Sequence, residues 1–360
     1  MAVNAVTRRR LCLFFLSACL CVSIVLQSRS FIIGFFVGLV FFIFLTAQEK
    51  KQLKGWHYVL TAVTMLSILL VLTLLLKTGS TYGRLFIYKV SFPMFSEHWL
   101  HGMGLGNFRS QYLLYQAAYF AEGKQTQEEM LLADNTYYVF NDYWQFLIEG
   151  GITAVFVLLF AMFGLGYLFL SNRRKYLRGM PNMLMLAWSL LMGLLLVAFF
   201  THVWEKTLYR LSIVGLIAII LYFSFIWGEK VSRKSFLLGV ASIFALVLFL
   251  ADIDKLLYHQ AYSTWRKAER YCFSGYMQEG LELFDEVYSP LKHDVLYLTM
   301  YAYQHKKNEN FEQASILFRE AAAIRPSNEL YRQLGICYDK LGDYEKAENN
   351  FLLAVNMVPN

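Results

Sequence analysis

Apolar residues run almost unbroken along several stretches of this chain, and polar residues gather between those stretches. Seven of them, about 11–27, 31–47, 56–76, 152–170, 182–200, 208–227 and 235–250, reach or approach the roughly 17–25 residues a helix needs to cross a bilayer. Each predicts a membrane-spanning helix. Four cationic clusters fix their direction: Arg8 to Arg10, then Lys50, Lys51 and Lys54, then Arg173, Arg174, Lys175 and Arg178, then Lys230, Arg233 and Lys234. They occupy every second gap, as one topology with its positive gaps inside the cell requires. The N-terminus is then cytoplasmic. The long loop before the fourth span, and everything after Asp252, lie outside.

The pattern changes after Leu250, where charges become frequent and long apolar runs stop. Phe284, Phe318 and Phe351 recur at 33–34 residue intervals, the period of tetratricopeptide helical hairpins. The last copy carries Tyr331, Leu334, Gly335 and Tyr338, then Ala347, Phe351, Ala354 and Pro359. The copy before it keeps Ala314, Phe318, Ala321 and Pro326; the first is degenerate, with Gly280 and Phe284. Small residues belong where paired helices approach closely, and proline ends the second helix. The chain stops on the last repeat, so that repeat either docks on something or frays.

The expected fold is therefore all-α: a polytopic helical membrane protein with a large extracytoplasmic loop and a C-terminal tetratricopeptide-repeat solenoid. Its parts are N-terminal spans over 1–76, the loop over 77–151, C-terminal spans over 152–250, and repeats over 251–360. Composition agrees. The chain is 57% hydrophobic and 16% charged, against roughly a quarter charged in a soluble domain. The formal charge of +7 does not argue for nucleic acid, because the basic residues flank apolar segments where they set topology. Arg8 to Arg10 followed by Leu16-Ser17-Ala18-Cys19 resembles a lipoprotein signal, but the apolar run continues to Leu26 where a processed signal turns polar. The five cysteines form no CxxC and no metal-ligand spacing, which makes them small buried hydrophobes.

Chemistry belongs in the loop. Its polar landmarks are Arg84 and Lys89, then His98, Gly102, Gly104, Gly106, Phe108 and Arg109, then Asp134-Asn135, and last Asn141, Asp142, Tyr143, Gln145, Glu149 and Gly151. Gly102-x-Gly104-x-Gly106 makes a tight turn whose backbone N–H groups suit an anion, or simply returns the chain to the membrane. No strand and crossover helix flank it as a dinucleotide site would require. Tyr112, Tyr115, Tyr119, Tyr137, Tyr138, Tyr143 and Trp144 could stack on sugars, or form the aromatic belt of a loop lying on headgroups.

Taken together, the landmarks resemble the O-antigen ligase and polymerase superfamily. The likeness runs over about residues 80–170: an arginine-led helix, a glycine turn closed by Phe108, and a stretch from Asn141 through Tyr143 and Glu149 to Gly151. With the repeats, it resembles a subgroup of that family from Gram-negative bacteria. Two departures stand out. Phe140 occupies the position of the histidine usually assigned as catalytic in the ligases, and only three spans precede the loop.

The resemblance implies transfer of a glycan from a polyprenyl-pyrophosphate carrier to a lipid or protein acceptor, on the periplasmic face of the bacterial inner membrane. Metal dependence has no support in the sequence, and no cofactor is expected. The leaving pyrophosphate needs fixed positive donors, for which Arg84 comes first, with Lys89 and Arg109 as helpers. Gly104, Gly106, Asn135 and Asn141 complete the expected substrate contacts. Arg84 and Lys89 are alternatively interfacial anchors. The acceptor hydroxyl needs a general base; with phenylalanine at 140, Asp134, Asp142 and His202 remain as candidates. Glu149 reads as structural. The repeats would recruit a protein partner. A non-catalytic, membrane-anchored tetratricopeptide scaffold is the competing reading. A solute transporter is disfavoured because no span carries a buried charge.

Overall fold

The computed structural model describes residues 29–49, 78–123, 125–172, 182–226 and 258–359. Among these residues every regular element is a helix, and there are no strands. The expected spans at 11–27, 56–76 and 235–250 lie outside the described residues. The chain divides into two compact units, the first made of residues 1–81, 139–145 and 153–251, the second of 82–138, 146–152 and 252–360.

In the first unit, helices α1 (Arg29–Glu49), α6 (Asn182–Val197) and α7 (Thr207–Ile226) pack together with part of the long helix α5 (Asp142–Ser171). Among the described residues two helices, α5 and the 207–224 part of α7, are long and apolar enough to cross a membrane; the apolar runs 30–45 and 183–197 are shorter. Phe156, Phe160, Phe163 and Tyr167 stand exposed along α5, as expected of side chains bathed in lipid.

The approach of α1 to α6 is set by small residues. A Cβ on Gly34 would lie 2.3 Å from Val197 Cγ2 and 2.8 Å from the Gly193 carbonyl, and one on Gly193 would lie 2.6 Å from the Gly34 carbonyl. Gly38 meets the Ser189 carbonyl in the same way. Gly34-x-x-x-Gly38 thus faces Ser189-x-x-x-Gly193, the small-residue seam that lets membrane helices touch backbone to backbone. Trp188, Leu191 and Ile220 fill the space beside it.

The second unit holds α2 (Thr78–Glu97, from Tyr82 onward), α3 (Phe108–Ala121) and α4 (Gln127–Leu132), together with the C-terminal helices. Those are α8 (His259–Phe273), α9 (Met277–Glu286), the single turn α10 (Tyr288–Leu291), α11 (Val295–Lys307), α12 (Phe311–Ile324), α13 (Asn328–Lys340) and α14 (Tyr344–Met357). They pair as hairpins α8–α9, α11–α12 and α13–α14. Asp294, Asn310, Ser327 and Asp343 cap α11 to α14 by accepting from backbone N–H groups of the first turn, each worth about 1 kcal/mol. Pro326 and Pro359 follow the ends of α12 and α14 by two residues.

Phe284 and Phe318 are fully buried, and Phe284 stacks on Tyr301 at 5.0 Å. Gly335 leaves room for the Phe351 ring, which would lie 2.6 Å from a Cβ there; Gly280 does the same for Cys272 Sγ at 2.2 Å.

The last hairpin docks. α3 packs against α14, and more lightly against α12. The buried side chain of Gln116 on α3 donates to the Met357 carbonyl at the end of α14. Asn135 Nδ2 donates to Asn328 Oδ1 at 2.9 Å, and Asn328 N–H donates back to Asn135 Oδ1 at 3.2 Å. The Arg325 guanidinium lies 5.2 Å over the Tyr137 ring, a cation–π contact. The segment expected as a separate loop and the C-terminal helices therefore make one compact body.

Candidate functional site

The glycine turn is built onto a break in α5. Gly151 has φ 62°, ψ −164°, inside the helix, a conformation that costs a side-chain-bearing residue dearly. The break strips helical partners from nearby backbone groups, and the turn supplies replacements. Met103 N–H donates to the Ile148 carbonyl at 3.1 Å, Gly104 N–H to the Glu149 carbonyl at 2.9 Å, and Ile152 N–H to the Trp99 carbonyl at 2.9 Å. The fit excludes side chains: a Cβ on Gly102 would sit 2.2 Å from the Glu149 carbonyl, and one on Gly151 2.5 Å from Leu100 and Gly102 backbone. Glu149, 7% exposed, accepts from Phe108 N–H at 3.3 Å, placing its carboxylate at the positive N-terminus of α3. Asn107 Nδ2 ties the turn to the Met103 carbonyl at 2.7 Å. Gly104 (φ 99°) and Gly106 (φ 82°) keep left-handed backbone, but the Gly104 N–H is already spent on the Glu149 carbonyl.

In the same unit Lys89 Nζ donates to Glu129 Oε1 at 2.6 Å and to the Tyr119 hydroxyl at 2.7 Å. Burial alone would push the Glu129 carboxyl up, but the bonds from Lys89, Thr126 N–H and Tyr119 outweigh it and hold it at about 2. Thr126 and Glu129 also form a capping box at the start of α4. The Tyr115 hydroxyl donates to the Glu97 carboxylate, tying α3 to α2. Arg84 on α2 and Arg109 on α3 are half-buried. Asp134 Oδ1 accepts from the next backbone N–H, that of Asn135, at 2.7 Å, and Asn135 is the residue joined to Asn328.

The first unit gathers the other candidates. Asn141, extended at φ −153°, accepts from Tyr143 and Trp144 N–H at 3.1 Å and so caps α5. This cap starts the helix at Asp142, ten residues before the expected span at 152. Asp142 N–H donates to the Ala198 carbonyl at 2.8 Å, while Asp142 Oδ2 accepts from Val203 N–H at 2.8 Å and Trp204 N–H at 3.1 Å. The Tyr143 hydroxyl donates to the Leu195 carbonyl at 2.8 Å. Gln145 receives Val139 N–H at 3.4 Å and donates to Glu205 at 3.4 Å. Together these bonds fix the 198–206 turn to the head of α5.

His202 in that turn meets Phe140 edge to face, ring centroids 5.4 Å apart. Phe140 has φ 58°, a strained value for a bulky residue. Burial, and then the Lys206 charge, hold the His202 imidazolium below its ordinary pKa. The ring is therefore neutral near pH 7 and able to take a proton.

The ten sequence candidates thus fall into two groups. Asn141, Asp142 and His202 come together in the first unit; Arg84, Lys89, Gly104, Gly106, Arg109, Asp134 and Asn135 belong to the second. Among the described residues no three His, Cys, Asp or Glu side chains gather as metal ligands. The reading from sequence passed over two roles: Gly151 as the break that seats the turn, and Asp142 as a clamp on the 198–206 turn. The Gly150-Gly151 pair was the available signal for the first; the second had no local one.

Residues 12–159 match the family model described as O-antigen ligase. The match covers about two fifths of the chain and includes α2, the glycine turn, α3, α4, the Asn141 cap and the broken part of α5. No curated protein matches the chain. The family match supports a membrane glycan ligase or polymerase as the general class, acting on a lipid-linked glycan and an acceptor.

Proposed function

We propose that this chain transfers a glycan from a polyprenyl-pyrophosphate carrier to an acceptor hydroxyl on the periplasmic face of the bacterial inner membrane, in assembly of a surface polysaccharide. The observation that carries the reading is the O-antigen ligase match, which runs through the broken helix and the turn seated on it. In the reaction the acceptor oxygen bonds to the anomeric carbon as the bond from that carbon to pyrophosphate breaks. The hydroxyl proton passes to a base, and the pyrophosphate leaves with the electron pair.

Arg84, with Arg109, is assigned the growing negative charge on the leaving group, for which a guanidinium offers forked donors. Lys89 is a weaker choice than sequence suggested, because Glu129 already neutralises it. His202 is assigned the proton. It is neutral near pH 7, whereas Asp142 already accepts two backbone N–H groups. Asp134 stays as the alternative base. The C-terminal hairpins are read as tetratricopeptide repeats that hold the loop and recruit a lipid-bearing or protein acceptor or a protein partner.

The scaffold reading draws on one observation, the phenylalanine at 140. Complementing a deletion strain with Arg84→Ala, His202→Ala and Asp134→Ala separates the two. Loss of surface glycan with Arg84→Ala and His202→Ala supports transfer. Wild-type glycan from all three variants, with the protein present in the membrane, removes the enzymatic assignment and leaves the scaffold.

A further inference from the structure

The C-terminal hairpins carry a cationic groove that the transfer chemistry does not use. Arg266 and Arg270, four apart on α8, share one helix face; Lys306 and Lys307 end α11, where the helix dipole favours positive charge. The four side chains line one cavity of about 790 Å³ with a single acid, Glu269. A second cavity of about 560 Å³ shares Arg266, Glu269 and Arg270 and continues along α8. Sites that take compact ligands span about 300–1,000 Å³.

The charge in this groove is not neutralised from within. Among the described residues Arg266, Arg270 and Lys307 form no ion pair. Lys306 donates to the Gln333 side chain, not to a carboxylate. The nearby Glu329 is taken up by Arg332 through two bonds of 2.8 Å and by the Tyr303 hydroxyl at 2.8 Å. Tyr303 forms part of the wall, and Phe273, 93% exposed, stands at the lip. Forked cationic donors bind carboxylate or phosphate, and an exposed aromatic ring beside them offers a face to the C–H side of a sugar.

We propose that this groove binds an anionic glycan segment, one carrying uronate carboxylates or phosphates. The choice of glycan over acidic peptide rests on the glycan-transfer reading; the anionic character rests on the groove alone. Its role would be to hold the acceptor or the growing polymer while transfer proceeds elsewhere on the protein.

The test uses the full chain in phosphatidylcholine nanodiscs, with trigalacturonate as probe, maltotriose as the neutral comparison and hexaglutamate as the peptide comparison. Trigalacturonate is expected to bind with an affinity that falls as salt rises, and maltotriose not to bind. Arg266→Glu/Arg270→Glu, and the milder Arg266→Gln/Arg270→Gln, should weaken binding about tenfold or more, the loss of at least one charge-assisted contact. Lys292→Glu, an exposed change outside the groove, should leave it unchanged. Equal binding of maltotriose, tighter binding of hexaglutamate, or wild-type binding by both Arg variants overturns the proposal. Binding is read without turnover. A chain that transfers glycan but fails to bind trigalacturonate loses this inference alone, while one that binds it but leaves surface glycan unaffected when Arg84 and His202 are replaced loses the transfer reading alone.

Discussion

Asn135 and Asn328, 193 positions apart, exchange two hydrogen bonds, each side chain acting for the other residue. This reciprocal pair, with Gln116 on the Met357 carbonyl, fastens residues 82–138, which carry Arg84 and the glycine turn, to the last hairpin. An amide pair of this kind fixes position more than it adds stability, since each bond contributes only about 1 kcal/mol net.

Replacing Asn135 or Asn328 with alanine is therefore expected to lower the thermal midpoint by a few degrees, roughly 2–4 °C per kcal/mol for a body of this size. Gln116→Leu should cost more, because it leaves the buried Met357 carbonyl without that donor. Hydrogen exchange in α3 and α14 reads the loss of docking directly. Unchanged protection of both helices in Gln116→Leu counts against the docked arrangement.

The Lys89–Glu129 pair makes a pH-dependent contribution. The folded Glu129 carboxyl is held near 2, below its ordinary 4.5. Its stabilisation is present in full above pH 4.5 and is lost as pH falls from 4.5 toward 2. The lysine pKa is raised above 10.5, the Glu129 hydrogen bond first among the causes, so its share is present below that value and fades as pH rises past it. Glu129→Gln should flatten the acid limb of an unfolding midpoint measured across pH 2–5. An acid limb identical to wild type removes the pair from the account.

Gly102 and Gly151 should tolerate no side chain. Alanine at either brings a Cβ within 2.5 Å of backbone and forces left-handed φ on it. The expected outcome is lost glycan transfer with a membrane-inserted but destabilised chain. Gly106→Ala, with the same sign of φ but open space around it, should cost only about 1–2 kcal/mol. Equal behaviour of the three variants in transfer and thermal midpoint would show that the seating of the turn is immaterial.

The α1–α6 seam makes a contrasting pair. Gly34→Ala pushes a Cβ into Val197 and the Gly193 carbonyl, whereas Gly164→Ala on α5 meets nothing within 4 Å. The first should lower the midpoint in detergent by several degrees. The second should hold or raise it slightly, because alanine favours helix over glycine by about 1 kcal/mol.

Much of this architecture is legible in the chain because its signals are local. Apolar length marks 152–170 and 208–227, and the Phe284, Phe318 and Phe351 period marks paired helices. Asn141 ahead of an apolar run as a helix start, and Gly34-x-x-x-Gly38 as a helix seam, were readable but passed over. What is hidden is long-range. Nothing near Lys89 announces Glu129, forty residues on, and nothing near Asn135 announces Asn328. The exposed groove of Arg266, Arg270, Lys306 and Lys307 is two short cationic pairs until folding sets α8 beside α11. His202 was only one of three possible bases in sequence; its contact with Phe140, which stands where the resemblance places a histidine, comes from the fold.

The most direct test of glycan transfer uses the purified full chain in liposomes with a polyprenyl-pyrophosphate-linked glycan and its acceptor, following glycan on the acceptor and released polyprenyl pyrophosphate together. The account predicts matched appearance of both products with the wild type, a loss of a hundredfold or so for His202→Ala, and partial recovery in Phe140→His/His202→Ala. Transfer that is unchanged in Arg84→Ala and His202→Ala would contradict it, as would a folded wild-type chain that forms neither product.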